Sequence, residues 1–293
     1  MKKYLVILAA VLLCAACSNK DDAPNEPEFN VYTAMDDVNF KNACIAKKLN
    51  GGKGVLTAAE AAEVTSLDIS NSSIASLKGL EYFTGLETLH CAANNLQTLD
   101  VSANTKLKDL DCSDNLLKTL NVSKNTELTR LDCHINQLQT LSAPVSTKLR
   151  ELYCNRNSLQ MLNVSANTKL IHFSCDINSL EALDVSKNTE LISLYCGYNK
   201  LPTLNVSENI KLETLNCYTN QLQALELSKN TELAGLSCSS NRLLALDISN
   251  NTRLSRLDAQ NNLFAFITVW ENFSITDLHM VTVDNLVFFK EKD

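Results

Sequence analysis

The sequence predicts a solenoid of parallel strands, about ten stacked turns of chain with a small helical cap at the N-terminal end. Three observations predict it. Cys91, Cys112, Cys133, Cys154, Cys175, Cys196, Cys217 and Cys238 recur every 21 residues without a slip. Around them runs Leu-x-x-Leu-x-Cys-x-x-Asn-x-Leu-x-x-Leu-x-Val-Ser-x-Asn-Thr-x, as in residues 86–106 and 107–127. Within Leu-x-Cys, apolar and polar residues alternate with period two, the mark of a short strand with one buried face. Composition agrees with a folded chain: of 293 residues 45% are apolar, 33 are acidic and 26 basic, a net charge of −7. That acidity and the lack of a basic stripe argue against a nucleic-acid partner, and no apolar run reaches the roughly 20 residues that cross a bilayer.

Residues 1–17 read as a secretion signal. Lys2 and Lys3 precede an apolar run from Tyr4 to Leu13, and Cys14-Ala15-Ala16-Cys17 follows. Ala15-Ala16-Cys17 resembles the bacterial lipobox, which implies lipidation of Cys17; Cys14 departs from the leucine usual there. Residues 18–30 carry Pro24 and Pro27 and form a polar tether of up to roughly 3.3–3.6 Å per residue. Lys20-Asp21-Asp22 resembles the acidic export signal of certain Gram-negative lipoproteins, which implies an outer-membrane protein displayed on the cell surface. Loss of Lys2 and Lys3 with the signal leaves 24 basic against 33 acidic residues, a net −9.

Residues 31–63 should form the cap. Over residues 36–49, Phe40, Ala43, Cys44 and Leu49 lie near one helical face, and Thr57-Ala58-Ala59-Glu60 is a capping box that opens a second helix through Val64. The loop between resembles an EF-hand-like or dockerin-like calcium loop in Gly54, Leu56 and Glu60. Leu49, Gly51 and Lys53 stand where its first three oxygen ligands belong, so no metal site is expected.

The rungs occupy residues 64–274: one of 22 residues (64–85), eight of 21 bearing the cysteines, and a tenth (254–274) with Ala259 at the cysteine position. Residues 275–293 form a C-terminal cap, in which Ile275, Leu278 and Met280 begin a partial eleventh rung. At about 4.8 Å per strand, ten rungs span on the order of 45 Å. Asn94, Asn115, Asn136, Asn157, Asn178, Asn199, Asn220, Asn241 and Asn262 form one ladder where the chain leaves the strand, placed to satisfy buried backbone groups. A second ladder runs from Asn104 to Asn272 at the opposite turn and breaks at Ser146, beside Ala143-Pro144, where an irregularity is expected. The ladder cysteines are read as free buried thiols: adjacent parallel strands hold Cβ atoms about 4.8 Å apart, too far for a disulfide, and a straight column cannot surround a metal ion.

This repeat resembles the leucine-rich repeat, and the first rung resembles the internalin type. The resemblance covers residues 64 to about 280. It implies a right-handed, curved leucine-rich repeat solenoid, with a parallel sheet on the concave face and turns or short 3₁₀ segments on the convex face. It also implies a binding scaffold.

No catalytic or cofactor motif stands in the chain, so no enzyme and no cofactor are expected. Cys133-His134 is no nucleophile and base, because neighbouring strand residues face opposite sides. The candidate ligand surface consists of outward positions between residues 130 and 219: Arg130, Asp132, His134, Tyr153, Arg156, His172, Asp176, Tyr195, Tyr198 and Tyr218. Tyrosine and arginine offer large contact area with a polar tip, as at interface hot spots. A protein partner is the leading expectation. A glycan, or a structural envelope role in which the tyrosines only stack on each other, are the alternatives. The chain is expected to act as a monomer that meets the membrane only through its lipid.

Overall fold

The computed structural model describes residues 29–143, 146–278, 280–283 and 288–292. The signal segment, Cys17 and all but the last two residues of the tether lie outside them.

The cap begins with a 3₁₀ turn, Val31–Thr33, which the sequence reading did not anticipate. Asn30 Oδ1 accepts the amides of Tyr32 and Leu56, both at 3.1 Å, and joins the turn to the second helix's approach. Helix α1 spans Val38–Ala46 and buries Phe40 and Cys44. It is shorter than residues 36–49 because Asp37 caps it at one end, and Lys48 at φ 52 turns the chain away at the other. Helix α2, Ala58–Ala62, has the expected reciprocal capping box between Thr57 and Glu60, but it ends before Val64. Glu60, the last ligand position of the calcium-like loop, is thereby committed to the helix start and pairs with Lys53 at 3.7 Å. Asp37 also locks the cap to the solenoid. Its Oδ1 accepts Asn39 and Phe40 amides while its Oδ2 accepts those of Ala75 (2.7 Å) and Ser76 (3.2 Å) in rung 1.

Eleven three-residue strands, from Ser66–Asp68 to Met280–Thr282, form one parallel sheet, hereafter the front. Every interior step pairs leucine with leucine or phenylalanine, as in Leu110↔Leu131 and Leu152↔Phe173. The apolar rows therefore stack without a shift. All eight ladder cysteines are free and fully buried, and burial pushes their thiols far above the usual range. They pack as small apolar groups.

The front asparagine ladder is saturated. Asn115 Nδ2 donates to the carbonyls of Cys91, Cys112 and Ser113, and its Oδ1 accepts the Leu96 amide at 3.0 Å. To turn its amide inward, each rung places the residue before the asparagine in the left-handed region, including Ile135 (φ 50) and Ile177 (φ 53). For a β-branched residue that conformation is costly, and the ladder imposes it. On the back ladder Asn125 donates to Val101 and Asn104 carbonyls, both at 2.9 Å. At the expected irregularity, Ser146 replaces the amide with its hydroxyl, which donates to Thr126 O at 2.7 Å; Pro144 itself lies outside the described residues.

The back consists mostly of turns, as expected, and adds short strands that were not. Leu-x-Val also alternates with period two, and short parallel pairs form there: Thr119–Asn121 with Thr140–Ser142, and Leu246–Asp247, Phe266–Val269 and Phe288–Glu291 together. Among the described residues 3₁₀ turns occur only in the terminal regions, at Val31–Thr33, Leu80–Tyr82 and Ile275–Asp277. A third ladder, not foreseen, runs along this face. Asp100, Asn121, Asn163, Asp184, Asn205 and Asp247 each accept the amide of the serine two residues on.

The partial eleventh rung forms with a step of 24 residues, Leu257↔Val281. The 21-residue period would place Leu278 opposite Leu257; Leu278 is buried, but Val281 takes that register. Trp270, Phe273 and Phe289 stack at 4.8 and 5.0 Å over the end of the core.

Candidate functional site on the front sheet

On each rung the front presents two outward strand residues, a third just beyond, and then the left-handed residue that opens the turn. Arg130 and His172 occupy the first column, and Asp132, Tyr153 and Tyr195 the second. His134, Asp176 and Tyr218 follow in the third. Arg156 and Tyr198 are in the left-handed column, φ 55 and 51, so they leave the sheet at a different angle from the strand residues.

The structure sorts nine of the ten candidates into two groups. The first is a charge network on rungs 2 to 5. Arg130 reaches Asp109 at 3.1 Å, Asp132 at 2.8 Å and Glu151 at 3.6 Å. His134 Nδ1 meets Asp132 Oδ1 at 2.6 Å, and His90 Nε2 meets Asp109 at 3.3 Å. The guanidinium carbon lies 5.7 Å from the centre of the Tyr153 ring, and the Tyr153 hydroxyl donates to Glu151 at 3.3 Å. Burial works against the Arg130 charge, but Asp109 and Asp132 outweigh it and hold its pKa up. His90 and Asp109 were absent from the sequence-based set; their signal was their position in the same outward columns. Cys133 is sealed in the core on the other side of the strand, so His134 has no thiol within reach.

The second group is a tyrosine cluster on rungs 6 to 8. Tyr218 and Tyr198 meet edge to face with centroids 5.5 Å apart. The Tyr218 ring rests against the Gly197 backbone: a Cβ there would lie 2.3 Å from Tyr218 Cε1. Gly197 N–H donates to Asp176 Oδ1 at 2.7 Å, and the Ser174 hydroxyl donates to Asp176 Oδ2 at 3.1 Å. Burial pushes the Asp176 carboxyl above the usual range despite these donors. The Tyr218 phenol is likewise raised, first by burial and then by the Asp176 and Tyr198 charges, with Arg156 opposing. Tyr195 and Tyr198 are 37% and 53% exposed, enough to offer ring faces to a ligand. His172 belongs to neither group; its Nδ1 lies 3.3 Å from Ser193 Oγ. Nothing in the 21-residue pattern marks Gly197 as the seat of Tyr218; only the cross-rung contact shows it.

No protein-family model matches the chain. Over 69 residues, 24% of the chain, it is 42% identical to internalin J of Listeria monocytogenes, of which that stretch is 8%. The solved functional domain of InlJ from the same species, described as including a cysteine ladder, superposes with a TM-score of 0.77 at 33% identity. That match covers 90% of this chain and 61% of the solved domain. The plant peptide hormone receptor RGFR1, solved in complex with RGF2, matches at TM-score 0.64 and 22% identity, over 78% of this chain and 40% of the receptor, and shows the fold alone. The chain thus spans about three-fifths of the solved InlJ domain and under a tenth of the curated relative. With stacked leucines, buried free cysteines and asparagine-bound turns, it is a leucine-rich repeat protein with a cysteine ladder, homologous to internalin J.

Proposed function

We propose that this is a non-catalytic recognition protein, lipid-anchored at the cell surface, that binds a protein partner through the front sheet. The observation that carries the reading is the tyrosine cluster. Tyr198 and Tyr218 are braced on each other and on Gly197, beside exposed Tyr195, so large rings are presented at little ordering cost on a sheet fixed by its asparagine ladder. The leucine-rich repeat fold shared with the InlJ domain supports the same class of function. Anchorage through Cys17 and display on an outer membrane rest on residues 15–22 alone, since the internalin relative comes from a Gram-positive bacterium.

The test is capture from host and bacterial surface extracts by the full chain carrying Cys17→Ser, beside a Tyr195→Ala/Tyr198→Ala/Tyr218→Ala version with an unchanged melting transition. A protein retained by the parent and lost by the triple variant is the expected outcome. Retention of carbohydrate instead of protein shifts the reading to a glycan ligand. Equal capture by both, or none, overturns the front-face reading. Metabolic labelling with a fatty-acid analogue should mark the native chain and not Cys17→Ala.

A further inference from the structure

Arg130 and Arg256 occupy the same strand column, six rungs apart. The first is bound by Asp109, Asp132 and Glu151. The second is exposed, and its guanidinium makes no ion pair or hydrogen bond among the described residues. Asp258, placed relative to Arg256 as Asp132 is to Arg130, is otherwise engaged. Its Oδ2 accepts the hydroxyls of Ser237 (3.1 Å) and Ser239 (2.7 Å), and its Oδ1 is buried.

Beside Arg256 the front surface drops. Rung 9 presents only Gly235, Ser237 and Ser239, and a trough of about 380 Å³ opens over it, walled by Thr214 and Asn216 on one side and Arg256 and Asp258 on the other. Gly235 stands in a column that carries Asp109, Arg130, Glu151, His172, Ser193 and Thr214 on the preceding rungs, so it alone of these presents no side chain. Packing does not require glycine there: a Cβ would meet nothing closer than Thr214 Oγ1 at 3.9 Å, in contrast to the crowded Gly197. The trough adjoins the tyrosine cluster, because Tyr195 pairs in register with Asn216. The flanking strands are two spacings apart, roughly 10 Å, which admits an extended chain and excludes a helix of about 10–12 Å with its side chains.

We propose that this trough is a specificity subsite of the front face, that it receives an Asp or Glu side chain from an extended segment of the partner protein, and that Arg256 pairs with that carboxylate. The inference deepens the front-face reading and rests on it. A planar guanidinium without a partner among the described residues, over small hydroxyl-bearing ones, matches a carboxylate in charge and shape.

The test uses a random dodecapeptide phage library selected on the full chain carrying Cys17→Ser, and in parallel on Arg256→Glu and Gly235→Tyr versions of it. Thermal melting first confirms that both variants fold; the open space at Gly235 and the exposure of Arg256 make this the expected result. Peptides enriched on the parent should share an acidic position, bind Arg256→Glu at least about tenfold more weakly, and lose binding to Gly235→Tyr. Selection on Arg256→Glu should enrich Lys or Arg at that position instead. No enrichment, enrichment without a shared acidic position, or binding indifferent to both variants overturns the subsite. The tyrosine triple variant separates the two readings. If it abolishes capture of the surface partner while Gly235→Tyr and Arg256→Glu leave that capture unchanged, the front-face function stands and the subsite fails.

Discussion

At the front turn, Asn178 donates to the carbonyls of Cys154, Cys175 and Asp176, and its Oδ1 accepts the Leu159 amide at 2.9 Å. At the back turn of the same rung, Asn188 donates only to Val164 and Asn167, and its buried Oδ1 has no partner among the described residues. The residue type is the same, and the number of bonds differs twofold. The front amide ties three carbonyls and one N–H across two rungs, so it fixes the spacing of the sheet that displays the tyrosines and arginines. The back amide ties two carbonyls and bears the desolvation of an unused oxygen. A repeat can thus be strict in sequence at both turns while its rigidity is concentrated on the face that carries function.

The scale for breaking this frame is set by the thiol column that runs between the ladders. Cys175→Asp would place a carboxylate where a fully buried thiol now packs, at a cost of several kcal/mol, and should split the single thermal transition into two as the solenoid halves uncouple. An unchanged single transition would contradict the frame described above. Next comes Asn178→Ala, which strands the Leu159 amide and takes one of two donors from each of the Cys154, Cys175 and Asp176 carbonyls, and should cost about 3 kcal/mol by urea unfolding. Asn188→Ala strands nothing, because the amides of Asn167 and Leu170 still serve the Val164 and Asn167 carbonyls, and it removes the unpaired oxygen, so about 1 kcal/mol is expected. Asn188→Ser should cost less still, because Ser146 already shows a hydroxyl serving this turn through its bonds to Thr126 and Lys148. Equal losses at 178 and 188 would mean that the unpaired oxygen is satisfied by ordered water and that the two turns are equivalent.

These differences mark what the sequence could and could not reveal. The interior repeats one residue type per column, so leucine stacking, free cysteines and the existence of both asparagine ladders were legible from the 21-residue period alone. The period also hid things. By the period Leu278 should be the next strand leucine, yet the last step is 24 residues and Val281 takes the register, because the chain first closes the end with Trp270 and Phe273. Ile135 and Ile177 avoid left-handed backbone by propensity, and only the inward amide beside them forces it. At the front, alternation located Arg130, Asp132 and Tyr218, but not their partners, since those contacts cross rungs and depend on rotamers. Gly235 and Arg256 were readable by aligning columns, and went unread because the search followed aromatic residues rather than a gap among large ones.

The smallest expected effect lies where the front ladder meets the display surface. Asp176 gives its carbonyl to Asn178 and its carboxylate to Gly197 and Ser174, and burial raises that carboxyl above the usual range. A carboxyl whose folded pKa lies above its unfolded value binds its proton more readily in the folded state. It therefore lowers stability at neutral pH, and the deficit disappears as pH falls through the folded pKa toward the unfolded value near 3.9. Asp37 has the opposite sign: burial alone would raise it, but the amides of Ala75, Phe40, Asn39 and Ser76 outweigh that and hold it below the usual range. Its contribution is present above the unfolded value and lost as pH falls through the folded one. Asp176→Asn should therefore melt slightly above the parent at pH 7, with the gap closing toward pH 4, while Tyr218 keeps its seat on Gly197. Asp37→Asn should melt below the parent at pH 7, and its gap should close only at lower pH. If Asp176→Asn melts below the parent at pH 7, the ionised carboxylate is a bracing element of the tyrosine cluster, and the front face is held by charge as well as by amides.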